Sequence, residues 1–162
     1  MSDIMVDDTL SESLTALIPK PSDIQQALRL SCQAADFHVE QPELCIRFAD
    51  DTVVQTLNAQ WRNQDRVTDV LSFPMQEADE LTADEPLGDI ILALPFVIQE
   101  ADRLQLAAPD HILHLIVHGT LHLLGYDHID DADAAVMQPL ECQIMQQLYR
   151  HNPYPDLNTT DV

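Results

Sequence analysis

The chain has 162 residues, of which 46% are hydrophobic, so its composition suits one globular domain with its own core and excludes an intrinsically disordered protein. Its net charge is −21, from 28 acidic and only 7 basic residues, which are too few to coat a nucleic-acid duplex. No apolar run approaches the roughly 18 residues that span a bilayer, and the acidic N-terminus lacks the basic start of a secretory signal. Three cysteines without a close pair are expected to be reduced core residues, namely Cys32, Cys45 and Cys142. We therefore expect a cytoplasmic protein that has neither a membrane nor DNA as a partner.

The first half of the chain predicts three strands and two helices. A short strand is predicted around Ile4–Val6, and a helix capped by Ser22 or Asp23 follows it. The apolar or small residues on one face of that helix are Ile24, Ala27, Leu28, Ser31 and Cys32. Leu44–Ala49 and Val70–Phe73 predict strands, the second stopped by Pro74. The helix between them, Val53–Arg62, is predicted to be capped by Asp50, Asp51 or Thr52 and to carry Val54, Leu57 and Trp61 on one face.

The second half begins with an acidic stretch, residues 76–86, which has no periodicity and predicts a solvated loop. Leu87–Leu94 is apolar throughout and predicts a strand at the centre of a sheet. Pro95 begins a helix to about Leu106, and Pro109 begins another that runs through Leu124 and is closed by Gly125. A last helix is predicted from Asp130 or Asp131 to about Tyr149, with a kink or split at Pro139. His151–Val162, or at least residues 152–162, predict a frayed tail.

Strands and helices are mixed along the chain without strict alternation. This order predicts a single α+β domain over residues 1–162, with a small mixed β-sheet and helices packed mainly on one face.

Three histidines at fixed spacing predict a metal site. His118 and His122 are four residues apart on a predicted helix, so they share one face, about 6 Å apart along the axis, and both can bind one ion. Gly125 ends the helix and allows the chain to turn back, which brings His128 within reach as a third ligand. Three protein ligands leave one position open, which is typical of catalytic rather than structural zinc. We therefore predict one Zn²⁺ per chain.

Two further histidines on the same helix face allow a different assignment. A triad of His114, His118 and His122 would span about 12 Å of a straight helix, which is too far for one ion, so His128 is the better third ligand. His114 then becomes a candidate neighbour of the site or a substrate-side group. The alternative for His114 and His111 is that both are polar residues on an exposed helix stripe. We expect His38 and His151 to be surface residues.

The spacing of His118, His122, Gly125 and His128 is similar to that of the metzincin zinc proteases. In those enzymes the residue after the first histidine is a glutamate, which acts as the general base. Here that position is Gly119, which cannot move a proton. Peptide hydrolysis by this metzincin-like helix would need a base from elsewhere.

Three motifs together resemble the YbeY family of bacterial endoribonucleases and rRNA maturation factors. They are Thr68–Pro74 (TDVLSFP), Leu87–Ile90 (LGDI) and His118–His128 (HGTLHLLGYDH). The resemblance implies a small α+β domain with zinc on His118, His122 and His128, and a family arginine that matches Arg62. It also implies single-strand-specific endoribonuclease activity, maturation of the 3′ end of 16S rRNA and a part in ribosome quality control. The implied partners are single-stranded RNA, a small-subunit ribosomal protein and a ribosome-associated GTPase.

With this resemblance, we expect a metal-assisted cleavage of phosphodiesters in which Arg62 holds the phosphate, since a guanidinium matches phosphate geometry. The alternative for Arg62 is a surface salt bridge to Asp65 or another carboxylate. The base could be His114, water activated by the metal, or the RNA 2′-OH itself. Asp69 and Asp89 are expected to be structural. Two other functions remain open from sequence: hydrolysis of a peptide or small ester, and a ribosome-assembly factor with a structural metal.

Overall fold

The computed structural model describes residues 2–127 and 131–155 of the chain. Four strands form one mixed sheet in this part of the chain: β1 (Asp3–Val6), β2 (Cys45–Ala49), β3 (Val70–Pro74) and β4 (Gly88–Ala93). The order across the sheet is β1-β2-β4-β3. β1, β2 and β4 are parallel, whereas β3 runs antiparallel to β4 along one edge. The sheet therefore ends at β3, which carries the TDVLSFP motif.

Six helices accompany the sheet in the described ranges: α1 (Glu12–Thr15), α2 (Pro21–Ala34), α3 (Asp51–Arg62), α4 (Leu94–Arg103), α5 (Ala108–Leu123) and α6 (Asp131–Gln147). α5 lies against β3 and β4, and α2 and α6 pack beside α5. α3 covers the opposite face of the sheet. The predicted α+β class, with helices mainly on one face, is confirmed. No helix in the described residues is long and apolar enough to cross a membrane.

β4 lies at the centre of this arrangement, as its apolar sequence predicts. Ile90 and Leu92 face the main core under α2 and α5, while Ile91 and Ala93 belong to a second apolar cluster under α3. Because successive side chains of a strand point to opposite faces, a strand buried on both faces must be apolar at every position.

The predicted helix caps are wrong in two places. α2 begins at Pro21, after Lys20, without a side-chain cap; proline suits this position because the first helical N–H groups have no partner within the helix. The predicted inner face of α2 is confirmed, since all five of its residues are buried. α3 has no side-chain cap either, because its acidic residues serve other segments. Asp50 accepts a hydrogen bond from Thr9, and Asp51 accepts one from the backbone N–H of Phe96.

Trp61 shares its predicted helix face with Val54 and Leu57, yet it is 69% exposed. The apolar cluster under α3 includes Val53, Val54 and Leu57 and does not reach the last turn of the helix. The buried residues of α3 are Val54 and Asn58. The Asn58 side chain donates a hydrogen bond to the Arg66 carbonyl, in the segment that follows the helix. Among the cysteines, Cys32 and Cys142 are buried, but Cys45 is only half-buried.

The C-terminal segment differs from its prediction as well. α6 continues through Pro139 without a split, since Pro139 and Ala135 both lie on the exposed side and water can bond the carbonyl that proline leaves unpaired. Residues 151–155 are not frayed: Tyr154 reaches Glu141, and the half-buried His151 has no solvent access at either ring nitrogen. The rest of the predicted tail, residues 156–162, lies outside the described residues.

Candidate active site

Gly119 sets how closely α5 approaches the sheet. A Cβ at this position would lie 3.0 Å from the Ser72 Oγ and 3.2 Å from two carbons of Ile90. The Ser72 hydroxyl also donates a hydrogen bond to the Gly119 carbonyl at 3.2 Å. Gly119, at the position of the metzincin glutamate, therefore allows α5 to pack closely against the sheet. This close packing places His118 and His122 beside β3.

Replacing Gly119 with alanine is expected to destabilise the protein by about 1–2 kcal/mol, because overpacking costs about 1–3 kcal/mol and the gain in helix propensity is at most about 1 kcal/mol. Ile90 is fully buried and cannot move aside. Urea denaturation measures the effect. The control is Gln99→Ala on the exposed side of α4, which should stay within about 0.5 kcal/mol of the parent. A Gly119→Ala protein of equal or higher stability would contradict the tight packing.

His118 and His122 share one face of α5, as their spacing predicts. Their Nε2 atoms are 3.1 Å apart. The His122 ring is fixed from behind, because its Nδ1 lies 2.9 Å from the backbone carbonyl of Tyr126. That carbonyl is in place because Gly125, at φ +102°, closes the helix with bonds from its own N–H to His122 O and from the Tyr126 N–H to Leu121 O. The prediction that Gly125 closes the helix is confirmed.

The other ring is fixed by a carboxylate. His118 Nδ1 lies 3.0 Å from Oε1 of Glu141, a residue of α6 that is fully buried. Burial raises the pKa of this carboxyl, but hydrogen bonds from His114 and His118 outweigh burial and lower the pKa to about 2. Glu141 is therefore a buried anion at neutral pH, and it can only accept hydrogen bonds.

These contacts decide which atoms of the two rings face each other. Both Nδ1 atoms lie against groups that only accept, so Nδ1 is the donor side of each ring and Nε2 is the side that can bind a metal ion. The two Nε2 atoms face each other at 3.1 Å. Two ligands of a tetrahedral zinc, each at about 2.0–2.1 Å, would be about 3.3 Å apart. The donor set thus fits a single metal ion.

The predicted third ligand, His128, lies outside the described residues. Within residues 2–127 and 131–155, no group of three or more histidine, cysteine or acidic side chains could hold a metal. The complete triad of His118, His122 and His128 therefore stays a prediction.

His111 and His114 are not on an exposed stripe, so that alternative is wrong. They are only 4% and 8% exposed, because α6 and α4 cover this face of α5. His114 Nε2 bonds Glu141 at 2.7 Å, and His111 Nε2 bonds Glu100 at 2.6 Å. Burial lowers the pKa of His111 to about 4. His114 therefore lies behind the site, on the far side of Glu141.

A cavity of about 640 Å³ opens beside the histidine pair, and it is lined by residues of α3, β3 and the helix end at Gly125. Arg62 lines it and is held in place by β3: Nη2 donates to the Ser72 carbonyl at 2.5 Å, and the guanidinium lies 5.5 Å from the centre of the Phe73 ring. The alternative for Arg62, a salt bridge to Asp65, is not formed: the Asp65 carboxylate accepts a hydrogen bond from Gln55. Arg62, His118 and His122 thus meet in one cavity.

Arg66 is a second cationic residue of this cavity, and the sequence analysis missed it. The backbone at Arg66 is bound to α3 by a hydrogen bond: Asn58 Nδ2 donates to the Arg66 carbonyl at 3.0 Å. Three of the other basic residues are paired with carboxylates: Arg47 with Asp7, Arg103 with Glu100, and Arg150 with Asp110 and Asp23. Among the residues that the structure describes, Arg62 and Arg66 have no carboxylate partner, so both can bind an anion.

Asp69 has the structural role predicted for it, and it also lines the cavity. Its Oδ1 accepts from the Val70 N–H at 2.7 Å, and its carbonyl accepts from Ala93 of β4. Burial, and after it the nearby Glu100 carboxyl, raise the pKa of Asp69. Asp89, on β4, lies in the sheet opposite Cys45 and Phe73.

Glu141 is the other residue that the sequence analysis missed, although its sequence carries a signal. It lies at helical spacing from Met137, Ile144 and Met145, all of which are buried. An acidic residue on an apolar helix face must be paired, because an unpaired buried charge is too costly. The sequence alone does not reveal that the partner is a histidine of another helix.

Facing imidazole nitrogens that could hold a metal ion, beside a cavity lined by two arginines, suit a hydrolase of phosphate esters. The comparisons with known proteins agree with this class. The family model described as "Endoribonuclease YbeY" matches residues 16–149. The chain belongs to the YbeY family.

Curated relatives support this membership. The chain is similar to "Endoribonuclease YbeY" of Zymomonas mobilis, with 40% identity over 93% of this chain and 95% of that protein. The protein of the same name from Stutzerimonas stutzeri is 37% identical over 94% of this chain and 93% of the relative. The solution structure of TM1509 from Thermotoga maritima matches with a TM-score of 0.54 and 23% identity, covering 99% of each chain. That likeness shows the fold.

Proposed function

We propose that this protein is a zinc-dependent, single-strand-specific endoribonuclease that matures the 3′ end of 16S rRNA and takes part in ribosome quality control. The observation that carries the proposal is the meeting of His118, His122 and Arg62 in one cavity, in a chain of the YbeY family. The endoribonuclease names of the relatives support the reaction, and the donor chemistry of the histidine pair supports the metal.

His118 and His122 would hold Zn²⁺ through Nε2, with His128 as the third ligand that the sequence predicts. When bound, the ion would supply Lewis-acid polarisation of a phosphate oxygen and activation of water. Glu141 and the Tyr126 carbonyl hold both rings by Nδ1, which is the orientation in which Nε2 would bind the ion.

Arg62 and Arg66 would bind the phosphates of the RNA strand. Of the two arginines, Arg62 would lie nearer to the reacting phosphate. The Ser72 carbonyl holds its guanidinium on β3, and α5, which carries His118 and His122, packs against the same strand. A guanidinium binds phosphate through two parallel hydrogen bonds and stabilises the charge that develops during cleavage. Two arginines in a cavity suit a short single strand, whereas a duplex would bring many phosphates against a surface of charge −21.

His114 would support the site without transferring a proton to RNA. It is buried, does not line the cavity, and bonds Glu141. The attacking group would then be water or the RNA 2′-OH. The acidic surface also favours action on the ribosome in the cytoplasm, where a small-subunit ribosomal protein and a ribosome-associated GTPase are the proposed partners that supply affinity for the particle.

The test uses purified protein treated with a chelator and then reloaded with Zn²⁺. We expect cleavage of single-stranded RNA to disappear on chelation and to return with zinc, with no cleavage of duplex RNA or casein. His118→Ala prepared in parallel must be inactive, which excludes a contaminating nuclease. Casein hydrolysis, or RNA cleavage unaffected by chelation and by His118→Ala, would refute the proposal.

A further inference from the structure

Glu141 is a buried carboxylate with three partners around it. Its side chain has no solvent exposure. Oε1 accepts from His118 Nδ1 at 3.0 Å and from His114 Nε2 at 2.7 Å. The Tyr154 hydroxyl lies 3.2 Å from both carboxylate oxygens. These contacts bring α5, α6 and the C-terminal segment together at one negative charge behind the histidine pair.

We propose that Glu141 is a positioning residue of the metal site: it fixes the ring of His118 and strengthens His118 as a ligand. This inference rests on the metal site of the proposed function. A carboxylate on the far nitrogen of a histidine holds the ring in one orientation and tautomer and makes the ligating nitrogen more basic. The Nδ1 of His122 lies against a neutral carbonyl, that of Tyr126, whereas the Nδ1 of His118 lies against the charged Glu141.

The energetics of burial explain why the carboxylate is held so firmly. A buried anion is costly unless it is paired and hydrogen-bonded. His114 and Tyr154 help to meet that need, and neither lines the cavity. His114 and Tyr154 thus support Glu141, and Glu141 supports His118.

The experiment measures Zn²⁺ affinity directly, by competition with a chromophoric chelator, together with the visible absorption of the Co²⁺-substituted protein. Glu141→Gln keeps the size and an acceptor oxygen but removes the charge, and we expect about 10-fold weaker Zn²⁺ binding. Glu141→Ala removes both, and we expect about 100-fold; these values are the two ends of the range for such supporting groups. Both variants should also shift the Co²⁺ bands, because the His118 ring is no longer fixed.

Two matched controls separate positioning from general effects. Glu77→Gln removes one exposed carboxylate from the loop beside His122 and tests the effect of charge without the hydrogen bond. Ile144→Val trims a fully buried residue of the same helix and tests loss of packing in α6. Both controls should keep the Zn²⁺ affinity within about 2-fold, although Ile144→Val lowers the denaturation midpoint. His114→Ala should also keep its metal.

The outcomes are distinguishable. If Glu141→Gln is folded and binds Zn²⁺ and Co²⁺ as the parent does, the inference is overturned while the proposed function stands. If the parent protein itself binds no Zn²⁺ with chelator-competing affinity, the proposed metal site fails first. Should Glu141→Ala not fold, the Glu141→Gln measurement decides alone. Equal losses in Glu141→Gln and Ile144→Val would also overturn the inference, because they would assign the effect to packing.

Discussion

Replacing His118 with alanine is expected to reduce bound zinc from about one ion per chain to well below half, and to abolish RNA cleavage. The reason is the 3.1 Å separation of the two Nε2 atoms: without one lone pair, a three-ligand catalytic site becomes a two-ligand site. The fold should survive, because Glu141 keeps its bonds to His114 and Tyr154. Elemental analysis after gel filtration measures the metal, and circular dichroism checks the fold.

Variants at the other histidines sharpen this prediction. His122→Ala and His128→Ala should lose zinc to the same extent, whereas His38→Ala should retain it, since the His38 side chain is 72% exposed and distant from the site in sequence. Full zinc in the His128→Ala protein would show that the third ligand is another residue. Full zinc in His118→Ala would exclude the site altogether.

Replacing Arg62 with alanine is expected to lower the rate of RNA cleavage by about 100- to 1,000-fold, the usual cost of removing one group that stabilises developing charge. Zinc content should not change, because Arg62 is held by Ser72 and Phe73 and is not one of the proposed metal ligands. The loss of stability should be about 1 kcal/mol, the contribution of one hydrogen bond. Single-turnover cleavage, metal analysis and urea denaturation on the same samples separate the three effects.

Two further variants, Arg62→Lys and Arg29→Ala, serve as comparisons for the cleavage rate of Arg62→Ala. Arg62→Lys should recover only part of the rate, because an ammonium cannot make the bidentate contact with phosphate. Arg29→Ala removes an exposed arginine of α2, which does not line the cavity, and should cleave like the parent. If Arg62→Ala and Arg29→Ala are equally active, Arg62 is an ordinary surface charge.

Local patterns predicted the parts of the fold and site that depend on nearby residues. The pairing of His118 with His122 follows from helical spacing, and the turn at Gly125 follows from its tolerance of positive φ. The buried strand β4 follows from its continuous apolar sequence. In each case the residues that determine the feature lie within a few positions of each other in the sequence.

Features that depend on distant residues were not predictable in this way. Glu141 meets His118 across 23 positions of sequence, and no local rule pairs them. Asp50 and Asp51 look like helix caps, yet their carboxylates bond Thr9 and Phe96, more than 40 positions away. Trp61 follows the helical period but lies beyond the sheet that would bury it. Tertiary partners overrode the local preference at each of these positions.

The close contact at Gly119 bears on how such an enzyme could acquire new chemistry. A protein engineer who wished to turn this scaffold into a peptidase would first try to install the missing glutamate after His118. The Cβ of that residue would crowd Ser72 and Ile90 of the sheet. The rest of a glutamate side chain would extend from this crowded position. Redesign would have to begin with the sheet, by opening room at Ile90, before any change in the metal ligands could matter. One obstacle to such a redesign is thus steric, and it lies at the contact between α5 and the sheet.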